Sequence, residues 1–354
     1  MENLKRIQNS LVECDIPALL VSEIENVRWL TGFTGSSGAV IVTPSKASFI
    51  TDARYDVQAR DEVKAPFSVH IFATPKTMND EIADCLDANE ITAFGFEAVH
   101  TSYAQYQKLV EKFPNHKVQP APDLFGPLRM VKSEAEIETT RRACKLADAC
   151  FDHVCRLVQP GVSEYDLGLE IEFFFRRQGA KLAFEPIVVA GERAALPHGK
   201  PSERKLQAGD LVTMDFGANL DGYCSDLTRT VAIGEVTPRV REIYDKVLAA
   251  QEAALAVMKP GVSAATVDKA ARNAMGEDAK YFGHGLGHGL GRVVHDGGRL
   301  GPSSTDTLAV GQIWTVEPGI YVPGLTGCRI EDDVVVTSDG IEILTHSPKA
   351  FTQF

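Results

Sequence analysis

The sequence predicts two domains in succession: an α/β domain over residues 1–127, then an α+β domain over residues 128–354 with an internal duplication about a pseudo-two-fold axis. Three observations lead there. Short apolar runs alternate with helical patterns in the first third of the chain. A stretch dense in proline and glycine, residues 120–127, then marks a linker. Beyond it, one helix-plus-strand unit occurs twice.

In the first domain, residues 18–21, 39–42 and 48–50 read as strands and residues 77–88 as a helix. After the linker, Ser133-Glu134-Ala135-Glu136 is a capping-box start to a helix whose apolar positions Ile137, Cys144, Phe151 and Val154 keep helical spacing. A second helix, residues 240–258, repeats its role in the other copy. Strand-like runs dominate after Gly209, with Val334-Val335-Val336-Thr337 as the last.

The duplication is legible residue by residue. Pro160-Gly161-Val162-Ser163 recurs as Pro260-Gly261-Val262-Ser263, and the segment 206–215 is echoed by 308–317. Leucine, glycine and threonine keep their places, and Asp215 falls where Glu317 falls. A further acid follows in each copy, Asp226 in the first and Glu331 in the second. Four carboxylates meeting at a pseudo-two-fold axis cannot all stay ionised in a cleft without cations, so the pattern outlines a metal site. Asp215 and Asp226 are separated by Gly217, Asn219 and Gly222, which suits a strand, a turn and a returning strand. His284 and His288 lie within a glycine-rich run, residues 283–291. That run reads as a mobile loop or a phosphate cradle, but it matches neither nucleotide-binding glycine pattern.

Bulk properties narrow the function classes. At 354 residues, the length suits two domains of ~100–200 residues each. With 44% hydrophobic and 24% charged residues the chain is an ordinary globular one. A net charge of −12 and the lack of a basic stripe exclude a nucleic-acid partner. The pairs Arg141-Arg142 and Arg176-Arg177 read as solvated helix faces. No apolar run approaches the ~18 residues of a membrane span, and the N-terminus lacks a signal-peptide core. Seven scattered cysteines without a C-x-x-C pair suit reduced thiols in a cytoplasm.

The chain resembles the pita-bread metallopeptidases, in their prolidase and aminopeptidase P branch. The resemblance is carried by Leu196-Pro197-His198-Gly199, Met214-Asp215-Phe216-Gly217, Tyr223-Cys224-Ser225-Asp226-Leu227-Thr228-Arg229-Thr230, His284-Gly285-Leu286-Gly287-His288-Gly289, Val316-Glu317-Pro318-Gly319 and Arg329-Ile330-Glu331-Asp332. It extends to Leu30-Thr31-Gly32-Phe33-Thr34-Gly35-Ser36 and Thr51-Asp52-Ala53-Arg54-Tyr55 in the first domain. It implies a pita-bread catalytic domain behind a creatinase/prolidase-like N-terminal domain. It also implies two divalent metal ions, with Asp215 on one, His288 and Glu317 on the other, and Asp226 and Glu331 bridging. An oxygen-rich set of this kind suits manganese, with cobalt or zinc as alternatives. A hydroxide bridging the metals would attack the Xaa-Pro bond at a peptide N-terminus, with Glu317 as general base. His284 and His295 match residues that hold substrate and stabilise the tetrahedral intermediate, and His198 matches a cleft residue near the proline.

Arg299 matches an arginine that pairs with the free carboxylate of a dipeptide. This sets Xaa-Pro dipeptidase slightly ahead of Xaa-Pro aminopeptidase, although Asp296-Gly297-Gly298-Arg299 departs from the family's usual glutamate and proline. Arg329, two residues before Glu331, fits substrate binding or the orientation of carboxylates. Arg292 stands where an aliphatic residue is common, and the sequence offers no account of it. The implied partners are proline-containing di- or short peptides and a second copy of the chain. Rival readings are a metal-free creatinase-like hydrolase, a non-catalytic pita-bread binding module, and methionine aminopeptidase, which usually lacks the first domain. The complete ligand set speaks against the first two.

Overall fold

A computed structural model describes residues 2–354, which divide into two compact units, one ending at Leu128 and the other spanning Arg129–Phe354. In the first unit, helix α1 (Glu2–Glu13) precedes β1 (Leu19–Val21), α2 (Ile24–Thr31), β2 (Ala39–Val42), β3 (Ala47–Asp52), α3 (Asp56–Glu62) and β4 (Phe67–Phe72). Then come α4 (Met78–Ala88), β5 (Ala93–Glu97), α5 (Tyr103–Lys112) and β6 (Lys117–Ala121). The six strands form one mixed sheet in the order β4-β3-β2-β1-β5-β6. Capping boxes at Thr77/Asp80 and Ser102/Gln105 start α4 and α5, where each side chain satisfies an otherwise unpaired helix N–H.

The two units divide directly after the proline-rich stretch, at Leu128, but that stretch is itself partly regular. Strand β6 runs through Pro120, which an edge strand tolerates because a missing N–H breaks no ladder there. The Asp123 carboxylate then accepts from the amides of Phe125 and Gly126 and opens α6 (Phe125–Met130).

In the second unit, α7 (Glu134–Cys155) and α8 (Glu164–Arg177) lead into β7 (Lys181–Leu182), β8 (Ile187–Ala190), β9 (Leu211–Phe216), β10 (Ala218–Leu220), β11 (Tyr223–Cys224) and β12 (Leu227–Ala232). The other half has α9 (Pro238–Val257), α10 (Ala264–Met275), β13 (Gly287–His288), β14 (Arg299–Leu300), β15 (Ile313–Val316), β16 (Gly319–Val322), β17 (Thr326–Arg329), β18 (Asp332–Val336) and β19 (Ile341–Ile343). Strand β19 follows a turn at residues 337–340, so the run 334–337 does not end the strand series.

The repeat is structural as well as textual. Ser163 caps α8 and Ser263 caps α10, each with its side chain accepting an amide of the first turn. The amide of Gly161 donates to Leu206 O, and that of Gly261 to Leu308 O. The return bonds match too, Leu206 to Val162 O and Leu308 to Val262 O. Each half has its own apolar core, one around Phe151, Phe175 and Met214 and the other around Val247, Trp314 and Ile330.

Strands β12 and β17 join the halves. The Thr230 hydroxyl donates to Arg329 O at 2.8 Å, and the Glu331 amide donates to Thr228 O at 3.1 Å. Beside them Arg229 is wholly buried against Asp332 at 2.7 Å, and Lys349 reaches the other oxygen of that carboxylate at 2.6 Å. Removing one partner from so buried a pair costs about 3–5 kcal/mol. This seam fixes the backbone on both sides of Glu331.

Candidate metal centre

Asp215 lies near the end of β9, directly opposite Thr228 of β12. Between those strands, Asp221 and Gly222 both adopt positive φ, as a tight hairpin turn requires, so the chain reverses and returns Asp226 beside Asp215. The Asp226 amide donates to Asp333 Oδ2 at 2.8 Å, which holds its backbone against β18. Glu331 leaves β17, and its Oε2 accepts from the Thr228 hydroxyl at 2.6 Å. Glu317 follows β15, with its amide on Leu286 O at 2.8 Å and its Oε1 accepting from Thr315 at 3.3 Å. His288 sits on β13, its amide donating to the Thr315 hydroxyl at 3.0 Å.

The five expected donors meet. His288 Nε2 is 3.6 Å from both Asp226 Oδ2 and Glu317 Oε1. Donor atoms of Asp226, His288 and Glu331 all fall within 4.8 Å of one another. Asp215, Asp226, His288, Glu317 and Glu331 line one cavity of about 570 Å³. Burial and mutual repulsion hold the Asp226 and Glu331 carboxyls well above the ordinary range. Burial likewise pushes Glu317 up to about 8, and pulls His288 down to about 4. Asp215 Oδ1 is buried with no hydrogen-bond partner. Clustered acids that resist ionisation, an orphaned carboxylate oxygen and a deprotonated imidazole are the donor set a hard divalent cation fits.

Arg329 is buried within this cluster. Its Nη2 donates to Asp215 Oδ2 at 2.7 Å, Nε to the Thr228 hydroxyl at 3.1 Å, and Nη1 to the Tyr321 hydroxyl at 2.9 Å and Pro197 O at 3.2 Å. Its donors therefore serve protein groups. The Tyr321 hydroxyl also meets His284 Nε2 at 2.9 Å, while His284 Nδ1 lies 2.8 Å from Gly285 O. Both ring nitrogens of His284 are thus engaged, and burial draws its pKa down to about 4. Tyr321, Thr228 and Thr315 are site residues that sequence reasoning missed. The only signal was their place on strands flanking the acids.

The other histidines are more open. His198 and His295 are exposed and line the cleft together with Arg299. The His295 ring stands edge-on to His288, with centroids 4.2 Å apart. The exposed Arg299 is tied at its amide to Asp306 Oδ2 at 2.9 Å, leaving its guanidinium to the cavity. A further cavity of about 320 Å³ continues past Arg299 along Gly298 and residues 301–306. Arg292, unexplained by the sequence, lays its guanidinium over the Tyr223 ring at 5.2 Å. None of the seven cysteines is in a disulfide, and among the described residues no helix is long and apolar enough to cross a membrane.

Residues 138–338 match the model of metallopeptidase family M24, and residues 3–131 that of the creatinase/prolidase N-terminal domain. The structure is similar to an Xaa-Pro dipeptidase from Bacillus anthracis, with a TM-score of 0.96 and 38% identity over 100% of this chain and 99% of that one. It is also similar to an X-Pro aminopeptidase from Thermotoga maritima, with a TM-score of 0.90 and 35% identity over 96% of this chain and 98% of that one. In sequence, an Xaa-Pro dipeptidase of Pyrococcus horikoshii is 33% identical, covering 98% of each chain.

Proposed function

Because the chain belongs to metallopeptidase family M24, we propose that it is a dinuclear-metal exopeptidase that cleaves the bond between an N-terminal residue and proline. The observation that carries this reading is the convergence of Asp215, Asp226, His288, Glu317 and Glu331 on one cavity. Asp226 and Glu331 would bridge two cations, Asp215 would serve one, and His288 and Glu317 the other. Bound there, manganese or a similar divalent ion would polarise the scissile carbonyl and lower the pKa of the attacking water.

The remaining work falls to the chain itself. Arg329 holds Asp215 in place and adds a positive charge beside the acids. Glu317 accepts the proton of the attacking water and returns it to the departing proline nitrogen. His295 presents a ring N–H donor to the carbonyl oxygen as negative charge develops there, His284 backs that wall through Tyr321, and His198 lines the cleft near the proline. The open guanidinium of Arg299 pairs with the free carboxylate of a dipeptide, which favours the dipeptidase. The cavity beyond Arg299 favours an aminopeptidase acting on longer peptides, and that is the second reading. The same reading assigns residues 1–127 to the N-terminal domain and 128–354 to the catalytic one, in a cytoplasmic homodimer.

The test is hydrolysis by chelator-stripped protein resupplied with manganese. Cleavage of Ala-Pro alone supports the dipeptidase, and cleavage of Ala-Pro-Ala the aminopeptidase. Failure on both would return a metal-free hydrolase or a binding module to the front.

A further inference from the structure

Strands β13 and β14 form a hairpin whose tip, residues 289–298, carries His295 over the metal cavity. The base of the tip is fixed by buried Leu290, whose amide donates to Ile313 O at 3.0 Å, whereas Val293, His295 and Gly297 are exposed. What lies inside the tip is a buried carboxylate. Asp296 sends its amide to Gly289 O at 2.8 Å, and its Oδ2 accepts the Arg292 amide at 3.0 Å, so one residue closes the tip from within. Its Oδ1 meets Arg129 Nη2 at 2.7 Å, with both side chains 7% exposed. Lys132, equally buried, approaches from the same segment, and its Nζ has no hydrogen-bond partner. Asp296 and Lys132 crowd the backbone at Gly291, where a Cβ would fall 2.1 Å from Asp296 Oδ2 and 2.9 Å from Lys132 Cε. Glu136 completes the charge balance, with Oε1 accepting the Tyr223 hydroxyl at 2.8 Å under the Arg292 guanidinium.

We propose that the Arg129–Asp296–Lys132 cluster is a positioning device, which pins the hairpin tip so that His295 stands beside His288 at the reacting bond. The inference rests on the role assigned above to His295. Net stability does not account for the cluster, because ions buried this deeply often give no more stability than apolar residues of equal volume. Direction does account for it. A carboxylate with one oxygen against an arginine and the other accepting a backbone amide, beside a buried lysine, has one orientation, and His295 is its immediate chain neighbour. Arg129 and Lys132 are anchored in turn, Val131 bridging to Gln312 and the Lys132 amide donating to Gly311 O at 2.9 Å. The cluster therefore ties the tip to the strand that leads into Glu317.

The experiment is a double-mutant cycle on the full-length, metal-loaded protein, with bound metal counted for every variant. Asp296→Asn keeps shape and the acceptor for Arg292 but removes the charge. We expect kcat on Ala-Pro to fall about 10- to 100-fold with metal content unchanged, the scale of an ångström-sized misplacement. In a His295→Ala background the same change should cost less than about threefold, since residues acting as one unit are not additive. The His295 ring resonance of metal-free protein should move in Asp296→Asn as well. Equal losses in both backgrounds, or an unmoved resonance with unchanged kcat, would overturn the proposal. If His295→Ala alone leaves kcat unchanged, the role of His295 fails instead. Should Asp296→Asn not fold, Arg129→Lys and Lys132→Met run through the same cycle. The first keeps charge without the planar guanidinium and should restore only part of kcat relative to Arg129→Gln.

Discussion

Arg329 Nη2 donates to Asp215 Oδ2 at 2.7 Å, while the other oxygen of that carboxylate is buried without a partner. One half of Asp215 is thus oriented by the protein, and the other is left for a cation. Replacing Arg329 with Gln should leave the carboxylate loosely held and weaken metal binding about 10- to 100-fold, as loss of a ligand's orienting partner does elsewhere. Calorimetric titration with manganese checks this. The metal-free variant should also be about 3–5 kcal/mol less stable than metal-free wild type, because it leaves a buried charge unpaired.

Asp226→Asn should remove metal and activity together while the protein stays folded. Its metal-free form should melt no lower than metal-free wild type, because burial and the neighbouring acids already disfavour the ionised Asp226. Metal analysis and a melting curve decide it. Full activity in the variant would remove Asp226 from the bridging position.

A pH dependence follows from Glu317, whose carboxyl is raised from 4.5 to about 8 in the folded, metal-free protein. A raised acid binds more protons folded than unfolded, so its ionisation costs stability as pH climbs between those two values. Metal-free Glu317→Gln should therefore gain in melting temperature over metal-free wild type from pH ~4.5 to ~8 and level off above that range. Saturating metal should abolish the difference in slope.

Much of this centre was legible in the sequence, because it is written in a repeated pattern. The repeat placed Asp215 opposite Glu317 and Asp226 opposite Glu331, and repulsion among four acids gave the pattern its chemistry. The fold class was legible for the same reason, since each apolar run keeps its helical or strand period. What was hidden acts through side-chain direction. Tyr321 reads as one more alternating strand residue, and only the folded chain brings its hydroxyl between His284 and Arg329. The Arg129–Asp296 pair joins residues 167 positions apart. The end of β6 was hidden inside the proline-rich stretch because Pro120 sits on a sheet edge, a fact about neighbours rather than about local composition.

Tyr321→Phe isolates that hidden network. Loss of one hydroxyl leaves Arg329 Nη1 and His284 Nε2 each short of a buried partner, which should cost about 1–3 kcal/mol of stability. Because His284 then turns more freely, kcat should fall while the metal affinity changes little. Single-turnover kinetics beside a manganese titration separates the two effects.

Arg299→Ala tests the choice of substrate. If its guanidinium captures a free carboxylate beside the proline, removing it should weaken Ala-Pro cleavage far more than Ala-Pro-Ala cleavage. Equal effects on both peptides would take Arg299 out of the substrate site.

The most direct measurement of all is Ala-Pro hydrolysis by chelator-stripped protein as manganese is added back, with bound metal counted in the same samples. The stripped protein should show no cleavage, and activity should rise to a plateau as two ions bind per chain. Cleavage untouched by chelation, or none at full metal occupancy, would contradict it.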